Sequence, residues 1–414
     1  MSLALRCRHA GISLACSLLL ALARLPPTIE VHCAQEFNLN GGVRVRKLGL
    51  RMAAGDGEDS YASNSRIPKK AILEVRPLLQ EATKEVYKSL PPGISTMVVA
   101  DLGCSAGPNT LLFISGVMST ICDCVQQETD DDEHRGLELQ FFLNDLPGND
   151  FNLIFRSLEQ IQSRAAKEEK TAAVPPYYVA GLPGSFYTRL FPCQSVHLFH
   201  SSFSLMWLSQ VPEDLSNGTH LNEGNMYIGK ATPPAVVKLF QEQFREDFAL
   251  FLTLRYRELV CCGHMSEDIL MHGDVARMWE LLSEALQTLV RKGRVKQENM
   301  TSFNLPYYAP SLDEVRALVK QSRLFEVERS GLFEFSWDPE DDDSSSDTVF
   351  DCVGSGENVA KCIRAVIGPL IIDHFGEAIL DELFQEYASI VTKHLMKGKA
   401  KYPVIVVSVK RAVH

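Results

Sequence analysis

Residues 98–109 read Val-Val-Ala-Asp-Leu-Gly-Cys-Ser-Ala-Gly-Pro-Asn and combine an acid with a glycine-rich turn. An apolar run leads to Asp101, and a predicted helix begins after the turn, at Asn109. Glycine allows a sharp turn and lets a ligand approach the backbone closely. Nucleotide-like ligands of open α/β sheets bind here, outside the carboxyl ends of the strands. A phosphate-binding P-loop is excluded because no Lys-Ser/Thr pair follows the glycines.

Two further groups of polar and aromatic side chains follow predicted strands. Asp145 comes after the apolar residues 139–143, and Ser185 and Phe186 come after residues 177–181. A carboxylate such as Asp145 can accept hydrogen bonds from both hydroxyls of a ribose. Ser185 can bind an adenine edge or the amino-acid part of a ligand, and the Phe186 ring can cover an adenine. Asp145 alone could also cap a helix, but the three groups in this order favour a nucleoside-like ligand.

A fourth segment, residues 200–207, reads His-Ser-Ser-Phe-Ser-Leu-Met-Trp and directly follows a predicted strand. Phe203, Met206 and Trp207 fall on one side if this segment is a helical turn. An apolar pocket with one indole N–H donor suits a small aromatic or aliphatic acid, although ordinary core packing explains the same residues. A Ser-His hydrolase is disfavoured because no Gly-x-Ser-x-Gly sequence surrounds the two serines.

These groups require a sheet whose strands end at one edge, and the hydrophobic pattern predicts such a sheet. Apolar runs predict strands at residues 96–102, 139–143, 195–199 and 402–409. The pattern predicts helices at residues 67–90, 109–122, 234–260 and 275–291. Alternating strands and helices indicate a mostly parallel sheet covered on both faces. Residues 301–399 are predicted to be helical and loop-rich, with an acidic, serine-rich stretch at 340–347.

Composition excludes some classes of function. The 414 residues carry a formal net charge of -11, and nucleic-acid binding depends on basic surface, so nucleic acid is not expected as a partner. The eleven cysteines are scattered without two pairs at zinc-ligand spacing. This usage indicates free thiols in a reducing compartment.

Residues 1–52 are predicted to be an extension in front of the globular part. Residues 12–23 are apolar and follow two arginines, but the run is too short to span a bilayer. It resembles the core of a signal peptide; an organelle transit segment and an extension without a role are the alternatives. We expect a cytoplasmic protein with no membrane partner, or a secretory or plastid protein if this segment is a targeting signal.

Five sequence blocks together resemble the plant SABATH family of carboxyl methyltransferases. They are Ser-Tyr-Ala-x-Asn-Ser at 60–65, Asp-Leu-Gly-Cys-Ser at 101–105, Leu-Asn-Asp-Leu-Pro-Gly-Asn-Asp-Phe-Asn at 143–152, Gly-Leu-Pro-Gly-Ser-Phe-Tyr at 181–187 and His-Ser-Ser-x-Ser-Leu-x-Trp-Leu-Ser at 200–209. The resemblance runs from about Gly55 to the C-terminus. It is strongest to grass enzymes that methylate anthranilate, benzoate or salicylate.

The resemblance implies an α/β fold, a Rossmann-like class I methyltransferase sheet with an α-helical cap, often in a homodimer. Residues 53–300 and 400–414 would form the core that binds S-adenosylmethionine, and residues 301–399 the cap. The residues implied to hold the cofactor are Tyr61, Ser65, Asp101, Gly103, Asn109, Asp145, Leu146, Ser185 and Phe186. The residues implied to line the acceptor pocket are Phe203, Met206, Trp207, Met278, Trp279, Tyr308, Ile363 and Val366.

The implied reaction is methylation of a small plant acid, giving a methyl ester. A carboxylic acid is already ionised at neutral pH, so catalysis needs positioning and desolvation more than a general base. Trp207 would be the catalytic residue, holding a carboxylate oxygen through its indole N–H. Salicylate, benzoate and anthranilate come first as acceptors and jasmonate after them. The alternatives are a catalytically impaired or non-catalytic relative and, more remotely, a dinucleotide-binding oxidoreductase.

Three positions of the acceptor region depart from the family pattern. Pro68 stands where the family usually has a glutamine that shares the acceptor carboxylate with the tryptophan, and proline offers no side-chain donor. Ala53 replaces a lysine, and Phe203 replaces a tyrosine. We therefore expect weak acceptor binding or a changed acceptor.

A fourth departure concerns the sheet itself. Ser266-Glu267-Asp268 follows Met265 at once, where the family has an apolar strand. The sequence therefore predicts that one inner strand is lacking, unless residues 261–265 and their neighbours form a short substitute. A sheet without an inner strand exposes unpaired backbone groups, so low stability is expected.

A Mg²⁺ site is a weaker expectation from the same resemblance. The positions matching the metal ligands of some relatives are Asn222, Thr301, Phe303 and Asn304. Threonine replaces the acid in this set, and Mg²⁺ prefers carboxylates. Asn222, Phe303 and Asn304 remain the candidate metal residues.

Overall fold

The strand predicted before Asp101 forms with the expected bounds, and it lies inside a seven-stranded sheet in the order β3-β2-β1-β4-β5-β7-β6. The computed structural model describes residues 50–127, 136–165, 175–270, 274–338 and 351–413. The apolar run at 12–23 and the acidic stretch at 340–347 lie outside these residues.

The strands and helices alternate along most of the chain, as predicted. The strands are β1 (Thr96–Leu102), β2 (Glu138–Asp145), β3 (Tyr177–Pro183), β4 (Val196–Ser202), β5 (Leu259–Leu270), β6 (Phe325–Ser336) and β7 (Lys401–Arg411). The helices are α1 (Tyr61–Asn64), α2 (Arg66–Ser89), α3 (Asn109–Gln127), α4 (Phe151–Ala165), α5 (Glu213–Ser216), α6 (Pro234–Glu258), α7 (Asp274–Arg291), α8 (Gln297–Ser302), α9 (Leu312–Ser322), α10 (Cys352–Phe375) and α11 (Leu380–Leu395), with a 3₁₀ turn at Glu377–Ile379. Within the described ranges, no helix is both long and apolar enough to cross a membrane.

The sheet is buried on both faces, which explains its apolar strands. In β1, Met97 and Val99 belong to one hydrophobic cluster and Ala100 and Leu102 to the other. Strand β1 pairs in parallel with β2 and β4, while β7 runs antiparallel to both β5 and β6. The predicted α/β fold with a mostly parallel sheet is therefore confirmed. The carboxyl ends of β1, β2 and β4 meet at one edge and carry the candidate site.

The expectation of a lacking inner strand is wrong, because β5 fills the place between β4 and β7. Residues 264–268 pair with β4 on one side and with β7 on the other. The alternative of a substitute strand around residues 261–265 is the one that holds. Strand pairing satisfies backbone groups whatever the side chains are, so polar residues can also form an inner strand. Here Ser266, Glu267 and Asp268 are buried, with 3%, 3% and 2% of their surface exposed. The low stability expected from a missing strand loses its basis.

The prediction for residues 301–399 misses a strand. Residues Phe325–Ser336 form β6, which pairs with β7 along eleven residues at the edge of the sheet. Four of its five exposed positions carry charged side chains, and such residues interrupt the apolar run by which buried strands are recognised. Charges are common on edge strands, where they discourage pairing with other molecules. Helices α9, α10 and α11, the end of α8 and the connecting turns make up the rest of the described part of this segment.

Candidate functional site

The glycine-rich turn after β1 has the backbone that its sequence predicts. Gly103 has a φ of +81°, and a Cβ at this position would collide with the Ser204 hydroxyl. The N–H groups of Gly103 and Cys104 both donate to the Asn144 carbonyl, at 2.8 and 2.9 Å. Only glycine therefore fits this position without strain. The turn is fixed to the end of β2 by these bonds.

Asp145, the last residue of β2, also contacts this turn. Its Oδ2 accepts a hydrogen bond from the Ser105 N–H and its Oδ1 accepts one from the Leu146 N–H, both at 2.7 Å. Burial raises the pKa of the Asp145 carboxyl to about 6, although the two backbone bonds favour the charged form. Each oxygen keeps a second lone pair for another donor. The carboxylate is thus held in place with acceptor capacity remaining.

Asp101 lies deeper and is fully engaged by neighbouring side chains. Its Oδ2 accepts from the Thr110 hydroxyl at 2.6 Å, and its Oδ1 lies 2.8 Å from His200 Nδ1. The ring of Phe113 stacks on His200. Burial lowers the pKa of His200, but the bond to Asp101 and the charges of Asp101 and Asp268 together outweigh burial, and the pKa is raised. Asp101 therefore joins β1, β4 and the start of α3.

Phe186 lies beside the glycine turn, within 3.8 Å of where a Gly103 Cβ would stand. Its ring packs edge-on against Tyr187, and its carbonyl accepts a hydrogen bond from Arg255. Ser185 Oγ accepts a hydrogen bond from the Tyr187 N–H at 3.2 Å. The loop after β3 and the turn after β1 are thus brought together from 80 residues apart.

A small cavity of about 20 Å³ opens beside the turn, and four of the nine predicted cofactor residues line it. These four are Tyr61, Asp101, Gly103 and Asn109. The other five, Ser65, Asp145, Leu146, Ser185 and Phe186, surround the turn but do not line this cavity. The lining residues that sequence reasoning left out are Pro68, Ile72, Cys104, Ser105, Thr110, Phe113, His200 and Ser202. Several of them lie within the sequence blocks already singled out.

A second cavity of about 70 Å³ adjoins the first and is lined almost entirely by apolar and aromatic side chains. It contains seven of the eight predicted acceptor residues, namely Phe203, Met206, Trp207, Met278, Trp279, Ile363 and Val366. Additional lining residues are Met52, Tyr61, Ile67, Pro68, Val275, Tyr307, Cys362 and Tyr402. Tyr61 and Pro68 line both cavities. These two residues therefore form the boundary between them.

Tyr308 is the predicted acceptor residue that this cavity does not contain. Its hydroxyl donates to Glu314 at 2.9 Å, and its ring packs against Phe244. The preceding residue, Tyr307, lines the cavity and its ring packs against Trp207 and Trp279. Tyr307 stands in an isolated bridge to Trp207, where successive side chains point to opposite sides. The sequence has two adjacent tyrosines here, and no local signal distinguishes the one that lines the cavity.

The polar donors among the residues that line the apolar cavity belong mostly to aromatic side chains, including Trp207, Trp279 and Tyr307. Trp279 Nε1 lies near the Tyr307 hydroxyl, yet neither atom forms a hydrogen bond of good geometry with any described group. Burial raises the pKa of Tyr307, so the hydroxyl remains protonated and able to donate. Neither lysine nor arginine is among the described residues that line the cavity. Neutral donors are therefore what the cavity offers to an anion.

The residues suggested for Mg²⁺ do not fit that ion. Asn222 Nδ2 donates to the Tyr227 carbonyl and to Asn304 Oδ1, and Asn222 Oδ1 accepts from Thr232. Thr301 instead donates to the Gln297 carbonyl of its own helix. The amide groups are thus engaged with each other and with the backbone, and the set holds no carboxylate. Mg²⁺ binding at these residues is not supported.

Comparison with known proteins gives one family for this arrangement. A family model described as SAM dependent carboxyl methyltransferase matches residues 47–412. Anthranilate O-methyltransferase 3 from Zea mays is 49% identical over 375 residues, covering 88% of this chain and 97% of that protein. Benzoate O-methyltransferase from Zea mays is 50% identical, covering 87% and 98%. A solved structure of loganic acid methyltransferase with SAH superposes with a TM-score of 0.71 at 30% identity, covering 88% of this chain and 99% of that one.

Proposed function

The chain belongs to the family of S-adenosylmethionine-dependent carboxyl methyltransferases, and we propose that it methylates the carboxylate of a small aromatic acid. Benzoate and anthranilate are the first candidates, since these are the acids in the names of relatives at 49–50% identity. Salicylate is the next. The product is the methyl ester.

The observation that carries this proposal is the pair of adjoining cavities. The cavity beside the glycine turn is lined by both polar and apolar groups, and the second is apolar with aromatic donors. Methyl transfer requires a bound methyl donor on one side and, next to it, an acceptor that is shielded from water. Tyr61 and Pro68, which line both, stand where the transferred methyl group would pass.

The residues around the glycine turn fit S-adenosylmethionine. Gly103 has no Cβ, which permits the close packing of this turn against Ser204. Asp145 keeps acceptor capacity for hydroxyl donors. The ring of Phe186 lies beside the turn, where it can cover a base. We propose that these residues, with Tyr61 and Asn109, hold the cofactor. When bound, S-adenosylmethionine supplies a methyl group on a positively charged sulfur.

The acceptor cavity positions the acid and shields it from water. The acceptor is ionised at neutral pH, so no residue has to remove a proton. Trp207 donates its indole N–H to one carboxylate oxygen and turns the other toward Tyr61 and Pro68. The apolar walls exclude water, which would otherwise solvate the carboxylate and weaken its attack.

The size and polarity of the cavity favour a compact aromatic acid over an extended one such as jasmonate. Its volume is about 70 Å³, and Met206, Trp279 and Ile363 are among its walls. Flat rings pack well between aromatic and aliphatic side chains. Phe203 in place of a tyrosine makes the wall less polar, which favours benzoate over acids with additional polar groups.

A methyl-transfer screen tests the proposal. The full chain is incubated with radiolabelled S-adenosylmethionine and, separately, benzoate, anthranilate, salicylate and jasmonate, and extracted methyl esters are counted. We expect the highest kcat/KM for one of the three aromatic acids. Binding of S-adenosylhomocysteine without turnover on any acid would identify a non-catalytic relative, and a protein that binds no S-adenosylhomocysteine would contradict the proposed cofactor site.

Substituting Pro68→Gln is expected to improve acceptor binding. Pro68 lines both cavities near the start of α2, where glutamine is tolerated and supplies an amide donor. A hydrogen bond to a charged group contributes on the order of 1.5–3 kcal/mol, so KM for benzoate should fall roughly tenfold or more. Initial rates across acid concentrations measure this change.

The control for Pro68→Gln is Pro68→Ala, which removes the ring without adding a donor. It should leave KM within about twofold of the parent protein, because no charge-assisted bond is gained. A KM for Pro68→Gln that matches that of Pro68→Ala would show that this position does not reach the carboxylate.

The partner, assembly and location of the protein are proposed on the basis of its family. We propose a small carboxylic acid as the partner, a homodimer as the assembly and the cytoplasm as the location. Eight described cysteines are free thiols, which is compatible with a reducing compartment. Gel filtration with light scattering tests the dimer, and a fluorescent fusion to the full chain tests the location.

A further inference from the structure

Three potential metal ligands converge on the face of the sheet beneath α2, outside both cavities. His264 lies on β5, Glu85 on α2 and Glu328 on β6. His264 Nδ1 is 3.0 Å from Glu328 Oε2 and 3.7 Å from Glu85 Oε2. All three ligand atoms lie within 4.8 Å of one another. The cluster joins elements that are up to 243 residues apart in the sequence.

The imidazole of His264 has no hydrogen-bond partner in this position. The side chain is fully buried, and neither Nδ1 nor Nε2 forms a hydrogen bond with any group of the described residues. Glu328 Oε2 is close to Nδ1 but outside hydrogen-bond geometry. A buried polar ring without partners is costly and rare in native proteins. Its Nδ1 is directed toward two carboxylate oxygens that are themselves acceptors.

Two cations hold the carboxylates in this orientation. Arg329 contacts Oε1 of Glu85 at 3.5 Å, and Lys410 lies 3.9 Å from Oε1 of Glu328. The cations therefore engage the outer oxygens, and the Oε2 atoms remain directed toward His264. Groups that fix metal ligands in this way recur around metal sites.

The two carboxylates of the cluster are close enough to repel each other. The ligand oxygens of Glu85 and Glu328 both lie within 4.8 Å of each other and of His264 Nδ1, and like charges at such a distance disfavour each other. A divalent cation would relieve this repulsion and would also give His264 Nδ1 a partner.

We propose that Glu85, His264 and Glu328 form a Zn²⁺ site that ties α2 to the sheet. Zn²⁺ binds imidazole nitrogen and carboxylate oxygen at about 2.0–2.2 Å in tetrahedral sites, which sets neighbouring ligand atoms about 3.4 Å apart. The distances from His264 Nδ1 to the two oxygens, 3.0 and 3.7 Å, bracket that value. Water supplies the fourth ligand at the exposed side. The role is structural, since the cluster contributes to neither cavity.

Equilibrium dialysis of the full chain against Zn²⁺, followed by elemental analysis, tests the site. We expect one equivalent of Zn²⁺ per chain, and at least tenfold weaker binding in Glu328→Gln and in Glu85→Gln. Thermal unfolding with Zn²⁺ at a hundredfold excess over Kd should shift the midpoint upward by roughly 5 °C in the parent protein. The shift should be absent in both variants.

Glu326→Gln is the matched control, because it removes the same charge from the same strand without removing a ligand. It should bind Zn²⁺ within about twofold of the parent protein. Less than one equivalent of Zn²⁺ in the parent, or equal binding in Glu328→Gln and Glu326→Gln, would overturn the proposal. Either result would assign the cluster to a shared proton only. Because the two substituted glutamates are partly exposed, the variants should fold.

Discussion

Replacing Trp207 with phenylalanine is expected to remove most carboxyl methylation while leaving the affinity for S-adenosylhomocysteine unchanged. The substitution keeps an aromatic ring in the cavity and deletes one N–H donor. A hydrogen bond to a carboxylate contributes on the order of 1.5–3 kcal/mol, which corresponds to roughly a 10- to 150-fold loss in kcat/KM. Trp207→Ala should lose more, since the buried ring also shapes the cavity.

Methyl-ester formation and isothermal titration with S-adenosylhomocysteine measure the two halves of this prediction. Trp337→Phe is the control: it also deletes a buried indole N–H, one that donates to the Lys401 carbonyl away from the acceptor cavity. That variant should keep kcat/KM within about threefold. Equal turnover in Trp207→Phe and the parent protein would contradict the role given to Trp207.

Replacing Glu267 with glutamine is expected to stabilise the protein above neutral pH. Glu267 is 3% exposed on β5, and its Oε1 has no hydrogen-bond partner within the described residues. The terminal nitrogens of nearby Arg255 already bind Glu258 and the carbonyls of Phe186 and Thr188. Burial, and after it the charge of Asp268, raises the pKa of Glu267 to about 8.

The sign of the pH dependence follows from this raised pKa. A carboxyl with a higher pKa in the folded state binds more protons when folded, so stability is greatest below its unfolded pKa of 4.5 and falls as pH rises toward about 8. Asp268 acts in the same direction, since burial raises its pKa to about 6. Forcing Glu267 to ionise costs roughly 3–5 kcal/mol at pH 8.5. Glutamine removes that cost.

Thermal unfolding at pH 5.5 and 8.5 checks this expectation. Glu267→Gln should raise the midpoint by roughly 5 °C at pH 8.5 and by about a third as much at pH 5.5. Glu298→Gln, which removes an exposed carboxyl with the same charge, is the control and should leave both midpoints unchanged. An equal effect of Glu267→Gln at the two pH values would show that the pKa of Glu267 is not raised in the folded protein.

The local hydrophobic pattern was enough to predict the strands that consist of uninterrupted apolar runs. The bounds of β1 were predicted as they are, and the prediction for β7 fell within one or two residues of each end. Strand β5 was missed because its middle reads Ser-Glu-Asp, which no local rule assigns to a buried strand. Its neighbours β4 and β7 hold it in the sheet by hydrogen bonds on both sides, and that support comes from segments 60 to 150 residues away.

The candidate site shows the same division. The sequence blocks identified Asp101, Gly103 and Asn109, which line one cavity, and Trp207, which lines the other. They did not distinguish Tyr307 from Tyr308, because the orientation of adjacent side chains depends on the bridge to Trp207. Nor did they indicate that Tyr61 would line both cavities.

The sequence by itself therefore determined the α/β class, the glycine-rich turn and the family, because these depend on the type and spacing of neighbouring residues. Only the tertiary structure decided what depends on distant segments. It placed a strand with buried carboxyl groups in the middle of the sheet, and it brought His264 to Glu85 and Glu328. The physical reason is that backbone pairing and burial fix where a side chain lies, and its charge then has to be accommodated by whatever groups surround it. The glycine turn could be predicted from twelve consecutive residues. The environment of Glu267 could not, because it is formed by segments that are distant in the sequence.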